Sequence, residues 1–343
     1  MAHALDDDEH QRIHLFSAAH EDVVHDVQYD YYGRRIATSS SDQRIKVWQL
    51  GDDDGGEYWT PADTWKAHDG SIAKVAWAHP EFGSVLASSS FDRTVKIWEE
   101  NENEPFNCGR RWKLRATFTD SKGSVQGLEF APHHLGLKLA TCSADGWVRI
   151  YEAPDIMNLS NWSITGEFEA VPGSKETDRL CISWCPSRML PQQIVVGCGD
   201  QNVARIYRVA PNNQWLPVEF LGPHLDVITD VAWAPNMGRS YQLIATASKD
   251  AHVRLFKLTW EDQSQPDSQP QSGNSAMASG KQPAGKWRVD RIGAFKDHGS
   301  EVWRVDWNIL GTILSSSGDD GTVRLWKSSH LDAWMCSEII NGE

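Results

Sequence analysis

The sequence predicts an all-β chain folded as a six-bladed β-propeller. Three observations carry this: a segment that recurs six times, a four-residue polar set inside it, and 17 Trp in 343 residues. The recurring segment runs from an apolar pair through Ser, Gly and Asp to an alternating basic-apolar strand ending in an aromatic. Its copies are IATSSSDQRIKVW (36–48), LASSSFDRTVKIW (86–98), LATCSADGWVRIY (139–151), IVVGCGDQNVARIY (194–207), IATASKDAHVRLF (244–256) and ILSSSGDDGTVRLW (313–326). The closing aromatics Trp48, Trp98, Tyr151, Tyr207, Phe256 and Trp326 are 50, 53, 56, 49 and 70 residues apart.

Each copy reads as a hairpin, two β-branched runs around a Ser/Gly/Asp turn. About 20 residues upstream lies another strand: VVHDVQYD, IAKVAWAHP, VQGLEFAP, CISWCP, ITDVAWAP and VWRVDWN. A weaker fourth strand follows each closing aromatic. Four strands at this period are the mark of a propeller blade. The blades are expected at about 20–65, 66–118, 119–170, 171–222, 223–295 and 296–340, as one domain over 12–340. Residues 1–11 are expected to be an acidic, disordered N-terminus.

The polar set is sharpest in the first unit, where His20, Thr38, Asp42 and Trp48 can join in one chain. An indole N–H only donates, a hydroxyl and a neutral imidazole do both, and a carboxylate only accepts. The order Trp to Thr to His to Asp therefore satisfies every member, and such a network can fix a blade. The second unit repeats it with His68, Ser88, Asp92 and Trp98, and the sixth with His298, Ser316, Asp320 and Trp326. The fifth keeps His224, Thr246 and Asp250 but closes on Phe256. The third has Thr141 and Asp145 without the His, and the fourth has Gly197 and Gln201 in their places. A His-Ser/Thr-Asp set also suggests a catalytic triad. A set present in several blades reads as architecture, because a catalytic centre occurs once.

Composition narrows the function classes. Lys+Arg is 33 and Asp+Glu 47, a net charge of −14. The runs Asp6-Asp7-Asp8-Glu9, Asp52-Asp53-Asp54 and Glu99-Glu100 would repel nucleic-acid backbones and anionic membranes. Mean hydropathy is −0.50, with no apolar run long enough to span a bilayer and no secretory signal at the N-terminus. Cys108, Cys142, Cys181, Cys185, Cys198 and Cys336 are read as free thiols, without zinc-site spacing around Cys181 and Cys185. No phosphate-binding loop, dinucleotide fingerprint, kinase signature or zinc-protease helix is present. No cofactor, metal or catalytic residue is expected.

Residues 51–57 and 99–107 read as acidic loops, 152–178 as a long connection, and 261–285 as a low-complexity spacer. The basic clusters Arg34-Arg35, Arg110-Arg111 with Lys113, and Arg179 with Arg188 read as solvated surface pairs.

Strand counting poses a question about closure. The sixth unit has its own outer strand, AWMCSEII (333–340), yet RIHLF (12–16) precedes the first. Two arrangements fit. In one, RIHLF is the outer strand of a seventh blade with no other strands in this chain, which leaves an open ring and a free edge. In the other, the ring closes on six blades and the N-terminus is frayed.

The repeats resemble the WD-repeat family over residues 20–326. Longer stretches are more specific: WKAHDGSIAKVAWAHPEFGSVLASSSFDRTVKIWEE (65–100), FAPHHLGLKLATCSADGWVRIYEAPDIMNLSNWS (130–163) and EVWRVDWNILGTILSSSGDDGTVRLWK (301–327). They resemble the Sec-thirteen-homologue nucleoporins, relatives of the COPII coat propeller. The resemblance implies a non-enzymatic scaffold with an open six-bladed ring. It implies an α-solenoid nucleoporin as partner, inserting a β segment as a seventh blade in trans. The implied settings are the Y-shaped nuclear pore subcomplex, with its other nucleoporins, and a SEA/GATOR-type complex at the vacuole or lysosome surface, in TOR signalling. Membrane contact is then peripheral, through the assembly, with no direct nucleic-acid contact. On this reading Ile13, Leu15 and Phe16 are candidates for the edge that meets the donated blade. Val24 and Val27 are candidates for one gap wall, and Val302, Trp303, Val305 and Trp334 for the other. A COPII cage propeller and a peptide-reading WD-repeat adaptor are the alternatives.

Overall fold

The computed structural model describes residues 16–53, 56–173, 179–262, 285–329 and 333–342. Ile13 and Leu15 lie outside them, as do residues 1–11 and most of the 261–285 insert. The described residues form six four-stranded antiparallel sheets, one per repeat.

Blade one holds β1 (Val24–Tyr29), β2 (Arg35–Ser40), β3 (Arg44–Asp53) and β4 (Gly56–Lys66). Blade two holds β5 (Ile72–Trp77), β6 (Val85–Ser90), β7 (Val95–Glu100) and β8 (Trp112–Phe118). Blade three holds β9 (Val125–Phe130), β10 (Lys138–Ser143), β11 (Trp147–Glu152) and β12 (Ser163–Glu169). Blade four holds β13 (Leu180–Trp184), β14 (Gln193–Cys198), β15 (Val203–Val209) and β16 (Trp215–Leu221). Blade five holds β17 (Ile228–Trp233), β18 (Tyr241–Ser248), β19 (Val253–Asp262) and β20 (Gly285–Phe295). Blade six holds β21 (Val302–Trp307), β22 (Ile313–Gly318), β23 (Thr322–Ser328) and β24 (Trp334–Asn341).

Two expected loops are different. Within the acidic stretch at 51–57, the described residues 51–53 and 56–57 belong to β3 and β4, with Asp53 opposite Gly56. The insert at 261–285 is trimmed at both ends, because Glu261 pairs with Lys286 and Asp262 with Gly285.

The closing aromatic marks a fixed irregularity. In every blade the third and fourth strands shift register just before it, as at Val47/Trp48 and Leu325/Trp326. A bulge re-aims a side chain and increases local twist. The inner strands carry a second shift near their start, for instance Ile72/Lys74 and Val302/Arg304. Blade four's β13 pairs without one, in line with its divergent sequence.

Five apolar clusters fill five junctions between consecutive blades, from one–two to five–six. Among the described residues, no sixth cluster joins blade six to blade one. The inner strands pack side by side from β1 through β21, and the β21–β1 junction lacks that packing. Among the described residues, the polar contacts across it come from Arg304, whose guanidinium donates to the His25 carbonyl (2.8 Å) and faces Asp26 (3.5 Å).

Candidate functional site: the open junction and its supports

The polar sets come together as the donor and acceptor chemistry requires. His20 lies 2.7 Å from Asp42 and 2.8 Å from Thr38, and Trp48 donates to Thr38 at 3.2 Å. In blade two His68 meets Asp92 (3.0 Å) and Ser88 (2.8 Å), and Trp98 donates to Ser88 (3.0 Å). In blade six His298 meets Asp320 (2.9 Å) and Ser316 (2.7 Å), and Trp326 donates to Ser316 (2.8 Å). His224 meets Asp250 (3.2 Å) and Thr246 (2.7 Å) in blade five.

The Asp has a second task. Its other oxygen accepts from the backbone N–H two residues on, as with Arg44, Thr94 and Thr322. This side-chain turn lets the next residue adopt positive φ, at Gln43, Arg93, Gly146, Ala251 and Gly321. Burial pushes His68 below its ordinary value, and burial with the nearby Arg254 takes His224 down to about 4. These imidazoles are therefore neutral at pH 7. Burial works to raise Asp320, and bonds from His298 and Thr322 outweigh it, holding the carboxyl at about 2.

Blade three replaces the missing His with Arg149, which bonds Ser121, Ser143 and Asp145. In blade four Arg205 and Tyr207 reach the Ala170 carbonyl. Two basic clusters are structural rather than solvated. Arg35 pairs with Glu100 (2.6 Å), across a blade boundary, and Arg111 pairs with the same carboxylate (2.7 Å).

A further recurring device escaped the sequence reading. The Trp ending an inner strand donates to a backbone carbonyl of the preceding blade: Trp77 to Gln28, Trp184 to Glu129 and Trp307 to Ala232, at 3.1–3.2 Å. Blade one carries Tyr29 at this place, 59% exposed. The signal was the Trp that closes the inner-strand segments IAKVAW, CISW and VWRVDW.

The two walls of the open junction are now readable. The inner-strand valine that faces the preceding blade is Val75, Val231 and Val305 in blades two, five and six, and each is 4% exposed or less. Its counterpart in blade one, Val27, is 50% exposed. Val24, on the same face, lines the central channel. On blade six the expected wall is corrected. Val302 and Val305 are buried in the cluster with blade five, and Trp334 packs on it and against Trp307. They face backwards because the inner strand presents its apolar positions to the blade before it. The free face carries Val323, 37% exposed, with half-buried Leu325 and Ile340. The matching Val95, Ile97 and Phe118 of blade two are all buried. Trp303 stands at one end of the channel, its indole donating to Asp319.

Phe16 takes a revealing place. Each closing aromatic in blades two, three, four and six contacts an aromatic from the preceding blade's outer strand: Trp98 on Trp65, Tyr151 on Phe118, Tyr207 on Phe168, and Trp326 on Phe295. Among the described residues no blade precedes Trp48, and Phe16 meets it at 5.0 Å.

The family model described as WD domain, G-beta repeat matches residues 11–49, 59–99, 112–152, 211–257 and 290–327. It passes over most of blade four, which lacks the polar set. Similar curated proteins include Nucleoporin SEH1 of Danio rerio, 47% identical over 338 residues, covering 95% of this chain and 86% of that protein. Nucleoporin SEH1 of Homo sapiens is 44% identical over 337 residues, covering 95% and 87%. Nucleoporin SEH1 of Saccharomyces cerevisiae is 41% identical over 350 residues, covering 96% and 99%. The chain belongs to this family of WD-repeat nucleoporins.

Within the nucleoporin's central channel, the acids Asp26, Glu129, Asp230 and Asp306 stand with Lys74 and Arg304. Glu129 accepts from the Trp184 N–H at 3.1 Å, and burial raises its carboxyl to about 8. A raised acid contributes stability that is fully present below its ordinary value of 4.5 and lost as pH rises through 8. Glu129→Gln keeps an oxygen for Trp184 without the titration. Its melting temperature is expected to gain on the parent as pH rises from 4.5 to 8, and a pH-independent difference would contradict this.

Proposed function

We propose that this nucleoporin is a non-enzymatic scaffold subunit of the nuclear pore complex, and that a partner completes its ring at the junction between blades six and one. The observation that carries the proposal is the exposure of Val27 and Val323 where every matching junction is packed. Exposed apolar faces beside a free strand edge attract a partner that adds strands. Phe16 supports the same reading, standing on Trp48 as an outer-strand aromatic would. So does the first repeat match, which begins at residue 11. The later matches begin at or near the outer strand of the preceding blade. On this reading residues 12–16 supply the outer strand of a seventh blade, and an α-solenoid nucleoporin supplies the rest.

The assembly is then the Y-shaped subcomplex at the nuclear envelope, with contact to membranes through its other members. The same acceptor surface would serve a SEA/GATOR-type complex at the vacuole or lysosome surface, in TOR signalling. Similarity to nucleoporins along nearly the whole chain supports the pore setting.

The test is co-expression of the chain with the α-solenoid nucleoporins of the same organism, followed by size-exclusion chromatography. The wild-type chain is expected to co-elute stoichiometrically with one of them. Val323→Asp, which places a charge on the free wall, is expected to remain folded and elute alone. A Val323→Asp chain that still co-elutes would place the partner elsewhere.

A further inference from the structure

Beside Arg304, which lines the channel, the Trp303 ring is met by two cations that have no ion-pair partner among the described residues. Arg179, just before β13, reaches from blade four to the Trp303 indole of blade six, with its guanidinium carbon 5.2 Å from the ring centre. Lys249, in a turn of blade five, places its ammonium 5.7 Å from the same ring. Both are half-buried, and neither has a hydrogen-bond or ion-pair partner for its charged group among the described residues. The third cation there, Arg304, is already committed to His25 and Asp26. Burial and the neighbouring Arg304 push Arg179 below its ordinary value. Two unpaired cations sharing one aromatic are unusual in a chain of net charge −14, whose other basic clusters are largely consumed by carboxylates. An anion beside either cation would supply the missing partner and accept charge-assisted hydrogen bonds.

We propose that the surface around Trp303 docks an acidic peptide whose carboxylates meet Arg179 and Lys249 beside the indole. Charge complementarity is local and selects this occupant. The positive area is two side chains wide, and Asp319 stands at its rim. That rim disfavours a nucleic-acid backbone or an anionic bilayer, which require broad basic surfaces. Arg179, Lys249 and Trp303 do not belong to the exposed junction faces at Val27 and Val323, so the site stands whether or not a seventh blade is donated.

The probe is a fluorescein-labelled deca-glutamate peptide, titrated with the full chain at low ionic strength and read by anisotropy. Saturable binding is expected. Arg179→Gln with Lys249→Gln is expected to weaken it about tenfold, through the loss of two charge-assisted contacts. Arg110→Gln with Lys113→Gln removes the same charge from an exposed site elsewhere and is expected to change binding less than twofold. Circular dichroism checks that both variants keep the β spectrum. Equal weakening in the two variants would show a diffuse charge effect and overturn the proposal. So would absence of binding by the wild-type chain. Displacement of the peptide by inorganic phosphate below the peptide's own dissociation constant would reassign the site to phosphate.

Discussion

Val27→Asp is expected to leave the isolated chain folded, whereas Val75→Asp at the matching place in blade two is expected to unfold it. The two valines share a register position on consecutive inner strands: Val27 faces Thr38, and Val75 faces Ser88. They differ in what lies beyond them. Val75 is 1% exposed within the cluster between blades one and two, where a carboxylate would be unpaired. Burying such a charge costs about 3–5 kcal/mol, a large part of the 5–15 kcal/mol that holds a typical domain together. Val27 is half exposed, and Asp there keeps its water, so a change within about 0.5 kcal/mol is expected. Thermal melts followed by circular dichroism decide the matter. Comparable losses in both variants would mean that Val27 is packed against blade six in solution, and that the ring is closed.

His68→Ala is the second large effect. His68 is 1% exposed and links Asp92 to Ser88. Its removal leaves buried acceptors and a hydroxyl without their partner, at a cost of about 2–3 kcal/mol. For a chain of this size that corresponds to a fall of roughly 5 °C in Tm. Trp98→Phe takes away only the indole donor and is expected to cost about 1 kcal/mol. Blade five is the natural precedent, since Phe256 closes it while His224, Thr246 and Asp250 keep their contacts. A His68→Ala chain that melts with the wild type would show that the network is not a support of blade two.

The blades were legible in the sequence because two constraints repeat together. The hairpin fixes the interval from Asp42 to Trp48, and the donor and acceptor types of the four side chains allow one order of bonding. The polar sets of blades one, two and six could therefore be drawn residue by residue. The face of a strand was not legible in the same way. Val302 and Val305 are apolar, belong to the last blade and look like a free wall. They turn towards blade five, because the register shift between Val302 and Arg304 sets which face of β21 they occupy. The free wall lies two strands later, at Val323 and Leu325, whose sequence matches the buried Val95 and Ile97. Equivalent apolar positions in blades two and six thus differ in whether a next blade packs on them. Partnerships between blades, such as Arg35 with Glu100, are likewise invisible along the chain, since the residues are brought together by neighbouring sheets.

The most direct test of the proposed partner-completed ring is amide hydrogen exchange of the chain, alone and with the α-solenoid nucleoporin proposed as its partner. Added protection is expected to be concentrated in β1 and in β21 to β24, with blades three and four little changed. Protection spread over blades three and four, with β1 and β23 exchanging as in the free chain, would contradict it.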